Sequence, residues 1–246
     1  MSIDDLLTTD VLIMAGAIFI SGLVRGFTGG AGANFFSAPV LSLLIGPREA
    51  VPIVLLLNGL TIIMLIPGAA RQVRLREAWP MGLAAALALP FGAWALFVVD
   101  EVFMRRLIAG VAVGFSLLLL SGWRYHGPRG LSLSMGAGGM AGALAGAVSM
   151  GGPPVFLYLM SGPGDGASNR AQFIIFSAFI LATALVVFFG AGVYTERMLW
   201  LGGVLVVPFV VATFIGTRLF RLANEETFRR VSLWLMAGVS LAILIF

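Results

Sequence analysis

Apolar stretches at about 11–45, 50–66, 78–98, 104–122, 131–161, 170–190, 197–217 and 230–246 take up most of this 246-residue chain. A helix needs roughly 20 consecutive apolar residues to cross about 30 Å of hydrocarbon, and a soluble fold has nowhere to bury so many such runs. The sequence is 60% hydrophobic and only 11% charged, with a mean hydropathy of +1.05, whereas soluble domains carry roughly a quarter charged residues. The chain therefore reads as an all-α polytopic membrane protein. One membrane domain (1–246) is expected in the cell inner membrane, with lipid around it. The opening MSIDDLLTTD is acidic and lacks the positive region of a cleavable signal, so none is expected.

Several function classes lose their chemistry at once. Cysteine is absent, which removes disulfides, thiolate metal sites and thiol nucleophiles. The chain has no lysine, so no phosphate-binding G-x-x-x-x-G-K-[ST] loop can form. Its basic residues are all arginine and sit mostly in short loops, as positive-inside topology requires, so no nucleic-acid partner is expected. GPGD at 162–165 fits an intramembrane aspartyl protease pattern, but no span offers the second aspartate. His126, the single histidine, lies in the loop WRYHGPRG. No enzyme activity, cofactor or metal is expected.

Two apolar stretches, 11–45 and 131–161, are too long for one crossing, and glycine breaks both: TGGAG at 28–32 and MGGPP at 150–154. GLVRGFTGGAG (22–32) lies on GALAGAVSMGG (142–152) at a shift of 120, matching Gly22 to Gly142, Gly26 to Gly146 and Gly32 to Gly152. DEVFMRRL (100–107) likewise resembles NEETFRRV (224–231). The chain reads as a tandem duplication, repeat one 11–122 and repeat two 131–246, each a broken segment followed by three spans. Such internal repeats are common in secondary transporters.

Loop arginines choose between two orientations of the repeats. If each broken segment crosses once, the arginines divide almost evenly. If each goes in and returns, as a re-entrant hairpin or two short spans, one side holds Arg71, Arg74, Arg76, Arg124, Arg129, Arg170, Arg218, Arg221, Arg229 and Arg230. The other then holds only Arg48, Arg105, Arg106 and Arg197. The second arrangement obeys the positive-inside rule. It predicts two inverted repeats, with both termini outside the cytoplasm.

Inversion would bring the two glycine tips together near the bilayer midplane, where irregular backbone survives only around a cavity. Helices restart near Asn34 and at Pro153–Pro154, and helix N-termini carry free N–H groups and partial positive charge that suit an anion. Gly29, Gly30, Gly32, Gly151 and Gly152 would let backbone donors approach a ligand, with Pro153 opening the second helix. Arg25, the one charge deep in an apolar segment, would add positive charge. Thr28, Asn34, Asn58, Ser149 and Gln172 are the polar residues placed to orient a small anionic substrate. No carboxylate or histidine lies within a span to relay protons.

GLVRGFTGGAG with the following SAPVL, and its partner GALAGAVSMGGPP, resemble the TauE/SafE family of membrane permeases. The resemblance extends over nearly the whole chain, through RQVRLREAW and GTRLFRLANEETFRR. It implies export of sulfite or small organosulfonates. The family's glycine motifs fall on Gly26, Gly29, Gly30 and Gly32, and on Gly146, Gly151, Gly152 and Pro153. Ala31 interrupts the usual glycine run, and Arg25 departs from the common pattern. A secondary transporter is therefore expected, with a passive anion channel or a membrane subunit serving a soluble enzyme as the alternatives. Nothing in the sequence fixes an oligomeric state, and a homodimer stays open.

Overall fold

The structure, a computed structural model, describes residues 9–28, 34–70, 75–123, 130–160 and 166–219, with single helical positions at 234, 238 and 241. The expected last span at 230–246, the loop holding His126, the GPGD turn and Gly29, Gly30 and Gly32 lie outside the described residues. Among those described there is no strand. The helices are α1 Thr9–Thr28, α2 Asn34–Ile45, α3 Pro47–Ala69, α4 Leu75–Val98, α5 Glu101–Leu120, α6 Leu131–Val148, α7 Gly152–Met160, α8 Gly166–Gly190 and α9 Glu196–Leu219. Six of them are long and apolar enough to cross a membrane: α1, α4, α5, α6, α8 and α9.

Local chemistry sets the boundaries. Asp100 caps α5, its side chain accepting from the backbone N–H groups of Val102 and Phe103 at 2.9 and 3.1 Å. Pro47 opens α3 behind Gly46, whose φ of 83° suits a residue without a Cβ. Prolines inside α2, α3, α4 and α9 persist because neighbouring helices and local adjustments re-satisfy the freed backbone groups. Along α4, Leu87, Phe91, Trp94 and Val98 are exposed at helical spacing, an apolar stripe that only lipid can cover.

Both over-long stretches double back on themselves. The Ser37 N–H of α2 donates to Ser21 Oγ of α1 at 3.1 Å, a contact that a straight 16-residue helical path would spread over about 24 Å. After α6, Ser149 takes left-handed backbone with φ 57°, and Gly151 returns to lie against the Ala141 carbonyl.

Two helix pairs pack closely enough that only glycine fits between them. A Cβ on Gly138, Gly142 or Gly146 of α6 would sit 2.2, 2.1 or 2.3 Å from the carbonyl oxygens of Met81, Ala85 and Leu89 on α4. On α1, a Cβ at Gly26 would meet the Thr213 carbonyl of α9 at 2.1 Å, and one at Gly22 the Phe209 carbonyl at 2.7 Å. The two interfaces correspond contact by contact. Gly26 faces Thr213 and Thr217 as Gly146 faces Leu89 and Ala93, while Gly216 faces Leu23 as Gly92 faces Ala143. The shift is 120 between α1 and α6 and 124 between α4 and α9, the latter also separating DEVFMRRL from NEETFRRV.

Helix directions follow from contacts along α8. The Tyr194 hydroxyl, just past its end, donates to the Pro52 carbonyl in α3 at 3.3 Å. Gly59 meets Leu181, and Ala69 packs with Ala171 and Ile174, so α3 and α8 run antiparallel. Trp79 contacts Phe179 and Phe97 contacts Phe188, so α4 and α8 run parallel. Burial pushes the Tyr194 phenol up to about 12, which keeps it a proton donor at neutral pH. At the same end Arg197 lies 3.6 Å from Glu49, and Arg48 lies 3.9 Å from Glu101. The starts of α3, α5 and α9 therefore share one end of the molecule. A continuous buried apolar cluster runs through all nine described helices.

Candidate functional site

Where the two doubled-back segments meet, a cavity of about 60 Å³ opens. That is room for a few waters or one small oxyanion. Its polar side is Arg25, Asn34, Asn58, Ser149 and the backbone of Gly151 and Gly152. Arg25 stands in the last turn of α1, where the negative end of the helix favours a cation. Asn34 is the first residue of α2 and Gly152 the first of α7, so two helix starts border the cavity.

The polar side chains form a directed relay. Arg25 donates through Nη1 to Asn58 Oδ1 and through Nη2 to the Asn58 carbonyl. Asn58 Nδ2 donates to Asn34 Oδ1 at 2.8 Å and to the Val54 carbonyl at 2.7 Å. Asn34 Nδ2 in turn donates to the Ser149 carbonyl. Side chains from α1, α3 and α2 are thus tied to the break between α6 and α7, over 115 residues of sequence. Asn58, 5% exposed, has both ends of its amide committed, which fixes its orientation. A guanidinium has five N–H donors, and among the described residues Asn58 alone receives from this one.

Two features of the lining stand out. Ser149 Oγ, in a residue only 1% exposed, has no hydrogen-bond partner among the described residues. Arg25 is the single ionisable residue in the cavity lining, and its acceptor is a neutral amide rather than a carboxylate. Buried polar groups are nearly always paired; among the described residues the Ser149 hydroxyl has no partner, as is also true of Ser116 and Ser134 outside the cavity, and Arg25 donates to Asn58 alone.

The sequence-derived candidates fall into three groups. Arg25, Asn34, Asn58, Ser149, Gly151 and Gly152 come together at the cavity. Gln172, 3% exposed and with an interaction of its own, is not among the described lining residues, nor is the buried Pro153. The Thr28 side chain, like Gly29, Gly30 and Gly32, lies outside the described residues. Gly151 has a packing duty of its own, since a Cβ there would sit 2.5 Å from the Ala141 carbonyl. Sequence reasoning missed the opposite wall, Phe173, Phe176, Ser177, Ile180 and Leu181 of α8. Their i, i+3, i+4, i+7, i+8 spacing is one helical face, a signal the chain carried, with Ser177 its polar mark in a mostly apolar helix. Among the described residues no cluster of His, Asp or Glu could hold a metal.

An arrangement that is helical among the described residues, with six membrane-length apolar helices, is a multi-pass membrane protein. The family model for the sulfite exporter TauE/SafE matches residues 14–243, nearly the whole chain, and the protein belongs to that family. No curated protein and no solved structure matches it. Membership makes it a membrane transporter of the sulfite-exporter type.

Proposed function

We propose that the protein is a secondary transporter that exports a small anion, sulfite or a small organosulfonate, by alternating access around the cavity at the two breaks. The observation that carries this reading is the Arg25–Asn58–Asn34–Ser149 relay, with a cation, an unpartnered hydroxyl and two helix starts facing one small space. An anion there completes the hydrogen bonding of Arg25 and Ser149. Because the relay ties the first doubled-back segment to the second, a ligand that competes for Arg25 loosens the tie between the two halves.

Alternating access in this form needs inverted repeats, and the helix directions support them. Antiparallel α3 and α8, which hold equivalent places in the two repeats, fit an inverted pair and not a parallel one. The matched α1–α9 and α6–α4 contacts fit a two-fold relation between the halves. With the arginine-rich loops inside, both termini lie outside the cytoplasm. The membrane potential favours moving an anion outward by about 2.3 kcal/mol per charge per 100 mV, so export is electrically downhill.

Counterflow in proteoliposomes tests the reading, with sulfite, sulfoacetate, sulfate and chloride compared under an imposed potential. Saturable exchange of sulfite or a sulfonate that is lost in Arg25→Gln and Gly152→Leu supports a carrier with this site. Conductive, unsaturable flux would make the protein a channel. Full exchange in both variants would remove the site.

A further inference from the structure

Resting on the transporter reading, we propose that the cavity selects by charge: it takes singly charged anions and excludes dianions. The substrate is then either a permanent monoanion such as a sulfonate, or the singly protonated form of a diprotic acid. The pH dependence of transport belongs to the substrate and not to the protein.

The argument is a charge count at the site. The two helix starts at Asn34 and Gly152 each offer roughly half a positive charge. The same two breaks also bring the ends of α1 and α6 to the cavity, through Arg25 in the last turn of α1 and Ala145 and Ser149 at the end of α6. Each of those ends carries roughly half a negative charge, so starts and ends cancel to first order. What remains among the described residues is one guanidinium. The short stretch between α1 and α2 adds nothing ionisable, since it reads Gly29, Gly30, Ala31, Gly32, Ala33.

The other described charges stand away from the cavity, Glu101, Arg105 and Arg106 among them, in the first two turns of α5 at the end where Arg48 meets Glu101. Asp10 is at the far end of α1, and Arg48 and Glu49 stand in the first turn of α3, about 14 Å of helix rise from Asn58. On α9, Glu196 and Arg197 lie at the start, and Arg218 is exposed with its guanidinium over the Phe214 ring at 4.4 Å. α2 and α6 have no ionisable side chain, and α7 has only Tyr158. The Arg76, Glu77 and Arg170 side chains lie outside the described residues. The rest of the wall is apolar, Leu55, Ile62, Phe173, Phe176, Ile180 and Leu181, apart from Ser177, whose hydroxyl donates to the Phe173 carbonyl. A monoanion leaves this enclosure neutral, with Arg25 and Ser149 Oγ as its donors. A dianion leaves one uncompensated charge against hydrocarbon, the costly case for any buried site. No lining group titrates near neutral pH, so the protein has no proton of its own to give or take there.

The test is competition counterflow with the purified full-length protein in proteoliposomes, using methanesulfonate, sulfate and sulfite from mildly acidic to mildly alkaline pH. Methanesulfonate exchange is expected to saturate and to stay level with pH. Sulfate is expected to compete at least about tenfold more weakly. Sulfite flux should fall on the alkaline side, as its singly protonated form disappears. Sulfate competing as well as methanesulfonate, or sulfite flux rising with pH, overturns the proposal while leaving the transporter reading intact. If no anion exchanges at all, the transporter reading fails and takes this one with it. Adding a second cation gives an independent arm. Ser177→Arg, on the cavity wall, should shift the ratio of sulfate to methanesulfonate competition toward sulfate by about tenfold, and an unchanged ratio would overturn the proposal.

Discussion

A neutral acceptor for a membrane-buried arginine is the most telling single choice in the chain. Had Asn58 been aspartate, Arg25 would form an internal ion pair with no net charge left over for an anion. Asn58→Asp should therefore reduce anion exchange at least about tenfold, because its carboxylate occupies the guanidinium that the anion needs. It also removes the Nδ2 donations to Asn34 and Val54, at roughly 1 kcal/mol each, which the new ion pair offsets in part. Counterflow beside a melting curve in detergent separates the two effects: exchange collapses while the folded protein persists. Retained exchange would mean that Arg25 is a structural group. Ser149 poses the complementary question, since its φ of 57° suits glycine better than serine. Ser149→Gly is expected to raise stability by about 0.5–1 kcal/mol while weakening anion affinity through the lost hydroxyl. Ser149→Ala removes the hydroxyl without relieving the backbone, so affinity should fall with no gain in melting temperature.

At the level of elements, glycine does two different jobs on one helix. Gly142 gives α6 its close approach to the α4 backbone, and Gly142→Ala, with its Cβ 2.1 Å from the Ala85 carbonyl, should cost about 1–3 kcal/mol as the pair is forced apart. Gly136, nearer the start of α6, has nothing within 4 Å of where an alanine methyl would stand, and Gly136→Ala should stabilise by about 0.5–1 kcal/mol through helix propensity alone. Melting temperatures of the two variants, compared with the parent, check both signs. The sequence made Gly142 and Gly146 visible as repeat marks but not as contacts, because a glycine pattern does not say which helix fills it. The same limit explains the site. Arg25, Asn34, Asn58 and Ser149 were legible because a polar residue inside an apolar run must find a partner. Phe173 and Phe176 were not, because most of the α8 surface is apolar and only packing chooses the face turned to the cavity; Ser177, a polar residue in that run, carried the signal and was missed.

For the whole molecule, the decisive matter is which ends of the helices share a side of the membrane. A single crossing by each broken segment would place Arg197 opposite Arg48, whereas Arg197 lies beside Glu49 and Arg48 beside Glu101. Exposed pairs of this kind contribute little stability, so their value here is as markers of position. The loop after α3 and the loop after α8 give a clean discriminator. With inverted repeats, position 70 faces the cytoplasm, next to Arg71 and Arg74, and position 191 faces outward. With one crossing per broken segment, both face the same side. Because the native chain has no cysteine, Ala70→Cys and Ala191→Cys, both at exposed turn positions, each report from a single site. A membrane-impermeant thiol reagent applied to intact cells should label Ala191→Cys at once and Ala70→Cys only after the membrane is opened. Equal labelling of the two from one side would return the repeats to a parallel arrangement. The two breaks could then no longer approach one cavity from opposite faces, and alternating access around the Arg25 relay would lose its structural basis.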